Sequence, residues 1–218
     1  MRLLVYAMES SGASTFCYFL GQRPGSVAII DVWSRCVTPP LRLDLPVVAK
    51  ATTTMIYRAA DHIASFVPDK TILFIRNPVV IYSSLGNYPY ANTFGSIEEK
   101  ISRFDEEFGC LNVDLVLRYE DFVARDPSLV PAIGSLGWPC RASYFECSRT
   151  LENIRKFNSD ASPWLRNNYR KGWGLGNIKG GAITGTLETL SPPSEVIEKI
   201  VGLSPRLSRH YGYSRKTA

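Results

Sequence analysis

Short apolar runs separated by segments of helical spacing organise the first 125 residues of the chain. Residues 2–8 (RLLVYAM) form a near-continuous apolar run, the signature of a strand buried on both faces. Val27–Val32, Val47–Lys50, Thr71–Ile75 and Val113–Arg118 repeat that signature and predict four more strands. Between them, Thr15–Leu20 read as a helix ended by Gly21-Gln22-Arg23-Pro24-Gly25. Met55–Phe66 carry apolar residues at Met55, Ile56, Ala59, Ala60, Ile63 and Phe66, a helical stripe. Val79–Leu85 follow Pro78, which suits a first helical turn, and Ile97–Phe108 form a charged amphipathic helix. A further helical region starts at Asp121–Ala124, whereas Pro39-Pro40 and Pro46 predict an irregular stretch. Strands alternating with helices imply a three-layer α/β fold: a mostly parallel central sheet flanked by helices. With no repeat, linker or low-complexity tract, residues 1–218 read as one domain. The Gly- and Asn-rich segment 158–186 is weakly periodic and too long for a plain connection, which predicts a functional or a disordered loop.

Composition narrows the class. Of 218 residues, 45% are hydrophobic and 21% charged, as in soluble globular proteins. No apolar run approaches the roughly 20 residues of a membrane helix, and no signal-peptide pattern opens the chain, so a cytoplasmic protein is expected. Five cysteines (Cys17, Cys36, Cys110, Cys140, Cys147) lack CxxC spacing and predict reduced, mostly buried thiols rather than disulfides or a metal site. The two histidines make a His-rich metal centre improbable; His62 reads as structural and His210 as a surface residue. The net charge of +5 is uneven. Residues 1–140 hold 12 Lys/Arg against 14 Asp/Glu, whereas residues 141–218 hold 13 against 6. With no dense basic block and no nucleic-acid motif, a small anionic ligand fits this asymmetry better than nucleic acid.

Four segments carry candidate chemistry. Ser10-Ser11-Gly12-Ala13-Ser14-Thr15 link the first strand to the first helix and offer backbone N–H groups and hydroxyls at a positive helix terminus, which suits phosphate. The GxxxxGK[ST] pattern is absent, lysine included. Arg76 ends the fourth strand, where open α/β sheets bind ligands, and Ser84 lies two turns into the next helix. An arginine fork and a hydroxyl can share one phosphate. Tyr119 ends the fifth strand with a face for a nucleobase, and Glu120 and Asp121 are suited to cap the helix that follows. Arg170-Lys171-Gly172 put two cations beside a glycine that allows close backbone approach.

In this order the segments resemble the sulfotransferases that use 3′-phosphoadenosine 5′-phosphosulfate (PAPS) and release 3′-phosphoadenosine 5′-phosphate (PAP). Ser11-Gly12-Ala13-Ser14 resembles that family's 5′-phosphosulfate loop. Arg76 and Ser84 match the spacing of its 3′-phosphate pair, and Arg170-Lys171-Gly172 resembles its closing 3′-phosphate loop. Leu117-Arg118-Tyr119-Glu120-Asp121-Phe122 with Asp126-Pro127 resembles its "RYEDL…DP" stretch, and Arg206–Tyr213 its tail ending in Gly-Tyr. The resemblance covers residues 2–180 and implies a P-loop NTPase-like sulfotransferase fold. It also implies a metal-independent transfer of the sulfuryl group to a hydroxyl or amine of a small-molecule, lipid or carbohydrate acceptor. Two positions depart from the family: Ser10 stands where many members have lysine, and Lys50-Ala51-Thr52 replaces Lys-x-His.

Lys50 and the amides of residues 11–15 are therefore expected at the phosphosulfate. The acceptor's base is Asp31, at the end of the second strand, or Glu9. Trp33, Tyr88, Tyr90, Trp164 and Trp173 are candidates for the acceptor pocket, with residues 88–92 as its loop. A P-loop-type kinase and a nucleotide-binding relative without activity are the competing classes. The acceptor and the oligomeric state are not encoded in any motif.

Overall fold

Five parallel strands form one sheet: β1 (Arg2–Ala7), β2 (Val27–Ile29), β3 (Val47–Thr52), β4 (Lys70–Ile75) and β5 (Leu115–Arg118), in the order β2-β3-β1-β4-β5. The computed structural model describes residues 1–30, 37–38, 44–88, 91–147, 178–179, 182–183 and 192–213. β1 is central, with Ala7 level with Thr52 of β3 on one side and Phe74 of β4 on the other. Because all strands run the same way, their carboxyl ends share one edge, and the chain leaves β1 there between neighbours that belong to different crossovers. Ligands of open α/β sheets sit at such a switch point.

Alternation along β1 sends its side chains to two separate cores. Leu3, Val5 and Ala7 face α1 (Ala13–Gly21), α5 (Tyr119–Val123), α6 (Leu129–Ser135) and the 3₁₀ turn Ala142–Glu146. Leu4, Tyr6 and Met8 face α2 (Ala59–Phe66), α3 (Pro78–Leu85) and α4 (Ile97–Cys110). The second core also takes in α7 (Ser194–Leu203) and α8 (Pro205–His210). The arrangement is thus a three-layer α/β fold. It explains why β1 to β4 read as apolar runs: both of their faces are covered. Phe16, Phe19, Phe74 and Phe122 pack ring on ring in the first core, with centroids 4.7 to 6.3 Å apart.

Several boundaries differ from the sequence pattern. The apolar stripe begins at Met55, but α2 begins at Ala59. The Thr54 hydroxyl accepts from the N–H groups of Ile56 and Tyr57 and holds that stretch in a turn, and the Asp61 carboxylate then accepts from the Arg58 N–H at 2.6 Å. Helix α5 opens at Tyr119, so Glu120 and Asp121 lie inside its first turn instead of capping it. Within the segment read as one long loop, Ile178–Lys179 (β6) and Ala182–Ile183 (β7) pair as an antiparallel hairpin. Cys17, Cys110, Cys140 and Cys147 form no disulfide, and only Cys17 is buried. Burial pushes the Cys140 and Cys147 thiols up to about 11, which keeps them protonated.

Candidate functional site

The loop after β1 makes two left-handed turns of the backbone before α1 begins. Gly12 caps the helix at φ 84°, a conformation glycine adopts without strain, and Ser10 adopts φ 57° although it has a side chain. Arg76, at the end of β4, holds that strained residue: its Nη1 donates to the Ser10 carbonyl at 2.6 Å. The Arg76 guanidinium lies 4.3 Å above the Tyr119 ring, and Tyr119 is buried. The Ser11 hydroxyl accepts from the Ala13 N–H at 3.4 Å, and the Phe16 N–H reaches Gly12 O at 3.1 Å. The first-turn amides of Ser14 and Thr15 have no intrahelical acceptor, as at any helix start.

Lys50 approaches the same loop from β3. Val48 and Lys50 lie on the face toward α1, and the Lys50 ammonium donates to Ser14 Oγ at 2.8 Å. Lys50 is 9% exposed and Arg76 7%. Two largely buried cations and the positive end of a nine-residue helix therefore meet at one edge of the sheet. Such an arrangement concentrates positive potential where an anion would be held by N–H groups and hydroxyls.

Three supports beneath this edge were not anticipated. Lys100, wholly buried on α4, forms an ion pair with Glu9 at 2.6 Å and donates to Ala91 O at 2.9 Å. It ties the first residue of the donor loop to the segment after α3. Its only advance signal is its place on the buried stripe of α4, between Ile97 and Phe104. Glu120, expected to cap its own helix, accepts from the Asn77 N–H at 3.0 Å and the Tyr211 hydroxyl at 2.8 Å, and Asn77 Nδ2 donates to the Tyr213 hydroxyl at 3.1 Å. The β4–α3 turn that carries Arg76 is thus fastened to β5 and to the tail. The Tyr211 hydroxyl, half-buried beside the Glu120 carboxylate, is held protonated far above the usual tyrosine range by desolvation and that charge. Finally, Thr38 N donates to His62 Nδ1 at 3.1 Å, which fixes the neutral ring and leaves the proton on Nε2.

The structure brings together Ser10, Ser11, Gly12, Ala13, Ser14, Thr15, Lys50, Arg76 and Tyr119. Tyr119 lies under Arg76, so a nucleobase would meet the guanidinium before the ring. Ser84 is half-buried on α3, about 9 Å along the helix from Pro78. Asp31, Arg170, Lys171 and Gly172 lie outside the described residues, as do Trp33, Tyr90, Trp164 and Trp173. Tyr88 is exposed. Among the described residues, no group of three or more His, Cys, Asp or Glu is arranged to hold a metal ion, and no helix is long and apolar enough to cross a membrane. An open groove of about 370 Å³ between α3 (Tyr82, Ser83, Gly86, Asn87) and the start of α7 (Pro192, Pro193, Val196) contains none of the predicted site residues.

No protein-family model matches the sequence, and no curated protein sequence matches it. Two sulfotransferases are among the solved structures similar to it. One is mouse sulfotransferase SULT7A1 complexed with PAP: 14% identity, TM-score 0.48, covering 98% of this chain and 88% of that one. The other is a sulfotransferase from Alicyclobacillus acidocaldarius: 13% identity, TM-score 0.40, covering 94% of this chain and 95% of that one. At these values neither likeness assigns the chain to a family.

Proposed function

We propose that the chain is a PAPS-dependent sulfotransferase of the P-loop-like fold, moving a sulfuryl group to a hydroxyl or amine of a small-molecule, lipid or carbohydrate acceptor and releasing PAP. The observation that carries this reading is the contact of Lys50 with Ser14 inside the first phosphate loop. The loop lacks its own lysine at Ser10, and β3 delivers one from the side, so the cation needed at the phosphosulfate is present.

In this reading, Lys50 and the amides of residues 11–15 hold the 5′ phosphosulfate and stabilise charge on the leaving phosphate and the transferring group. Positioning and electrostatics supply most of the acceleration in such transfers. Arg76 and Ser84, with Arg170, Lys171 and Gly172, take the 3′-phosphate. Arg76 is held beside the Ser10 carbonyl and therefore links the two ends of the nucleotide. Asp31 takes the acceptor's proton. The alternative base, Glu9, is committed to an ion pair with the buried Lys100 ammonium. No metal enters the scheme. A thermal-shift comparison tests it: PAP without metal raises the melting temperature by several degrees, whereas a response to ATP–Mg²⁺ alone would favour a kinase.

A further inference from the structure

The geometry points to Thr52 as a hydrogen-bond donor to the sulfuryl group itself, a role distinct from the loop's grip on the phosphate. The inference rests on the functional reading above. β3 alternates, so Val48, Lys50 and Thr52 share the face toward α1. Lys50 occupies the middle of that row with its ammonium on Ser14, and Thr52 stands about 6.6 Å further toward the carboxyl edge. Ala7, the last residue of β1, is its partner across the ladder, so Thr52 is level with the start of the donor loop.

Thr52 is 9% exposed, and its hydroxyl has no hydrogen-bond partner among the described residues. Its neighbours are satisfied: Thr53 donates to Ala7 O, and Thr54 accepts from Ile56 and Tyr57. The hydroxyl itself is not fully enclosed, so an acceptor arriving at this edge of the sheet can reach it. It lies beyond Lys50 in the direction that leads out of the phosphate loop. The group that continues outward from a 5′-phosphate held at the loop is the sulfuryl, whose oxygens accept hydrogen bonds. The Thr52 O–H would complement the Lys50 charge there, from the same row of β3.

PAP and PAPS differ only in that sulfuryl group, so their affinities isolate the contact. The experiment is calorimetric titration of the wild-type chain, Thr52→Val and Thr52→Ser with PAP and with PAPS, alongside melting temperatures. Valine keeps the shape and removes the donor. The expected result is a loss of about ten-fold in PAPS affinity for Thr52→Val, the size of one hydrogen bond to a charged group. PAP affinity and melting temperature stay at wild-type values, and Thr52→Ser restores PAPS binding. Equal PAPS affinity in wild type and Thr52→Val would overturn the assignment, as would a parallel loss for both nucleotides. If the wild-type chain bound neither nucleotide, the functional reading would itself fail, and this assignment with it.

Discussion

Replacing Lys100 by methionine removes one charge from a pair that lies beneath the loop. The Lys100 ammonium is wholly buried, and the Glu9 carboxylate is 15% exposed at a distance of 2.6 Å. At an effective dielectric constant near 20, charges that close attract by about 6 kcal/mol, and desolvation cancels part of this. Removing a single partner from such a pair costs about 3–5 kcal/mol, because the other charge stays buried without compensation. Ala91 O also loses its donor. Domain stability is about 5–15 kcal/mol, so the loss is a large share of the total. For a chain of 218 residues, 1 kcal/mol shifts the melting temperature by about 2–4 °C, which gives a fall of about 6–20 °C for Lys100→Met. The double variant Glu9→Gln with Lys100→Met removes both charges and should recover to within about 2 kcal/mol of wild type. Urea unfolding followed by tryptophan fluorescence measures all three. A Lys100→Met variant within about 1 kcal/mol of wild type, or a double variant no better than the single, would refute the reasoning.

Two further outcomes are expected. His62 is held neutral by burial, its pKa lowered to about 4. The unfolded chain therefore binds the proton first as pH falls, and stability present above about 6.5 is lost toward 4, by roughly 3 kcal/mol at most. Acid unfolding of His62→Asn, whose amide oxygen can still accept from Thr38 N, should lack that component, and identical pH slopes in the two proteins would contradict it. Lys50→Met should keep the fold, since the methionine stem fills the same space, and lower turnover of PAPS by at least about 100-fold, as loss of a charged transition-state contact does. Steady-state rates near wild type would remove Lys50 from the mechanism.

The sheet was legible in the sequence because β1 to β4 are covered on both faces and so appear as apolar runs, whereas β5, at the edge, leaves Val116 exposed. The phosphate loop was legible because Gly12 and its flanking hydroxyls are local features. Two kinds of feature escaped. The start of α2 depended on Thr54 capturing two amides, which outweighs a continuous apolar stripe. The partners of Glu9, Ser10 and Glu120 are 91, 66 and 43 residues away in sequence, and no local pattern announces such a pairing. Glu120 shows the difference most clearly: its type and position suit a helix cap, but the sheet edge brings the Asn77 N–H nearer. The deeply buried cations Lys50 and Arg76 gained their significance only when the strand order placed both carboxyl ends beside β1.

Transfer of labelled sulfuryl from PAPS tests the central claim most directly. The wild-type chain is incubated with PAPS, without metal, and with 2-naphthol, N-acetylglucosamine or cholesterol, and both labelled product and PAP are quantified. The account predicts label in at least one acceptor class, with one PAP released per sulfuryl transferred and with at least about 100-fold slower transfer in Lys50→Met. PAP binding with no transfer to any of the three would contradict it and leave a nucleotide-binding protein in its place.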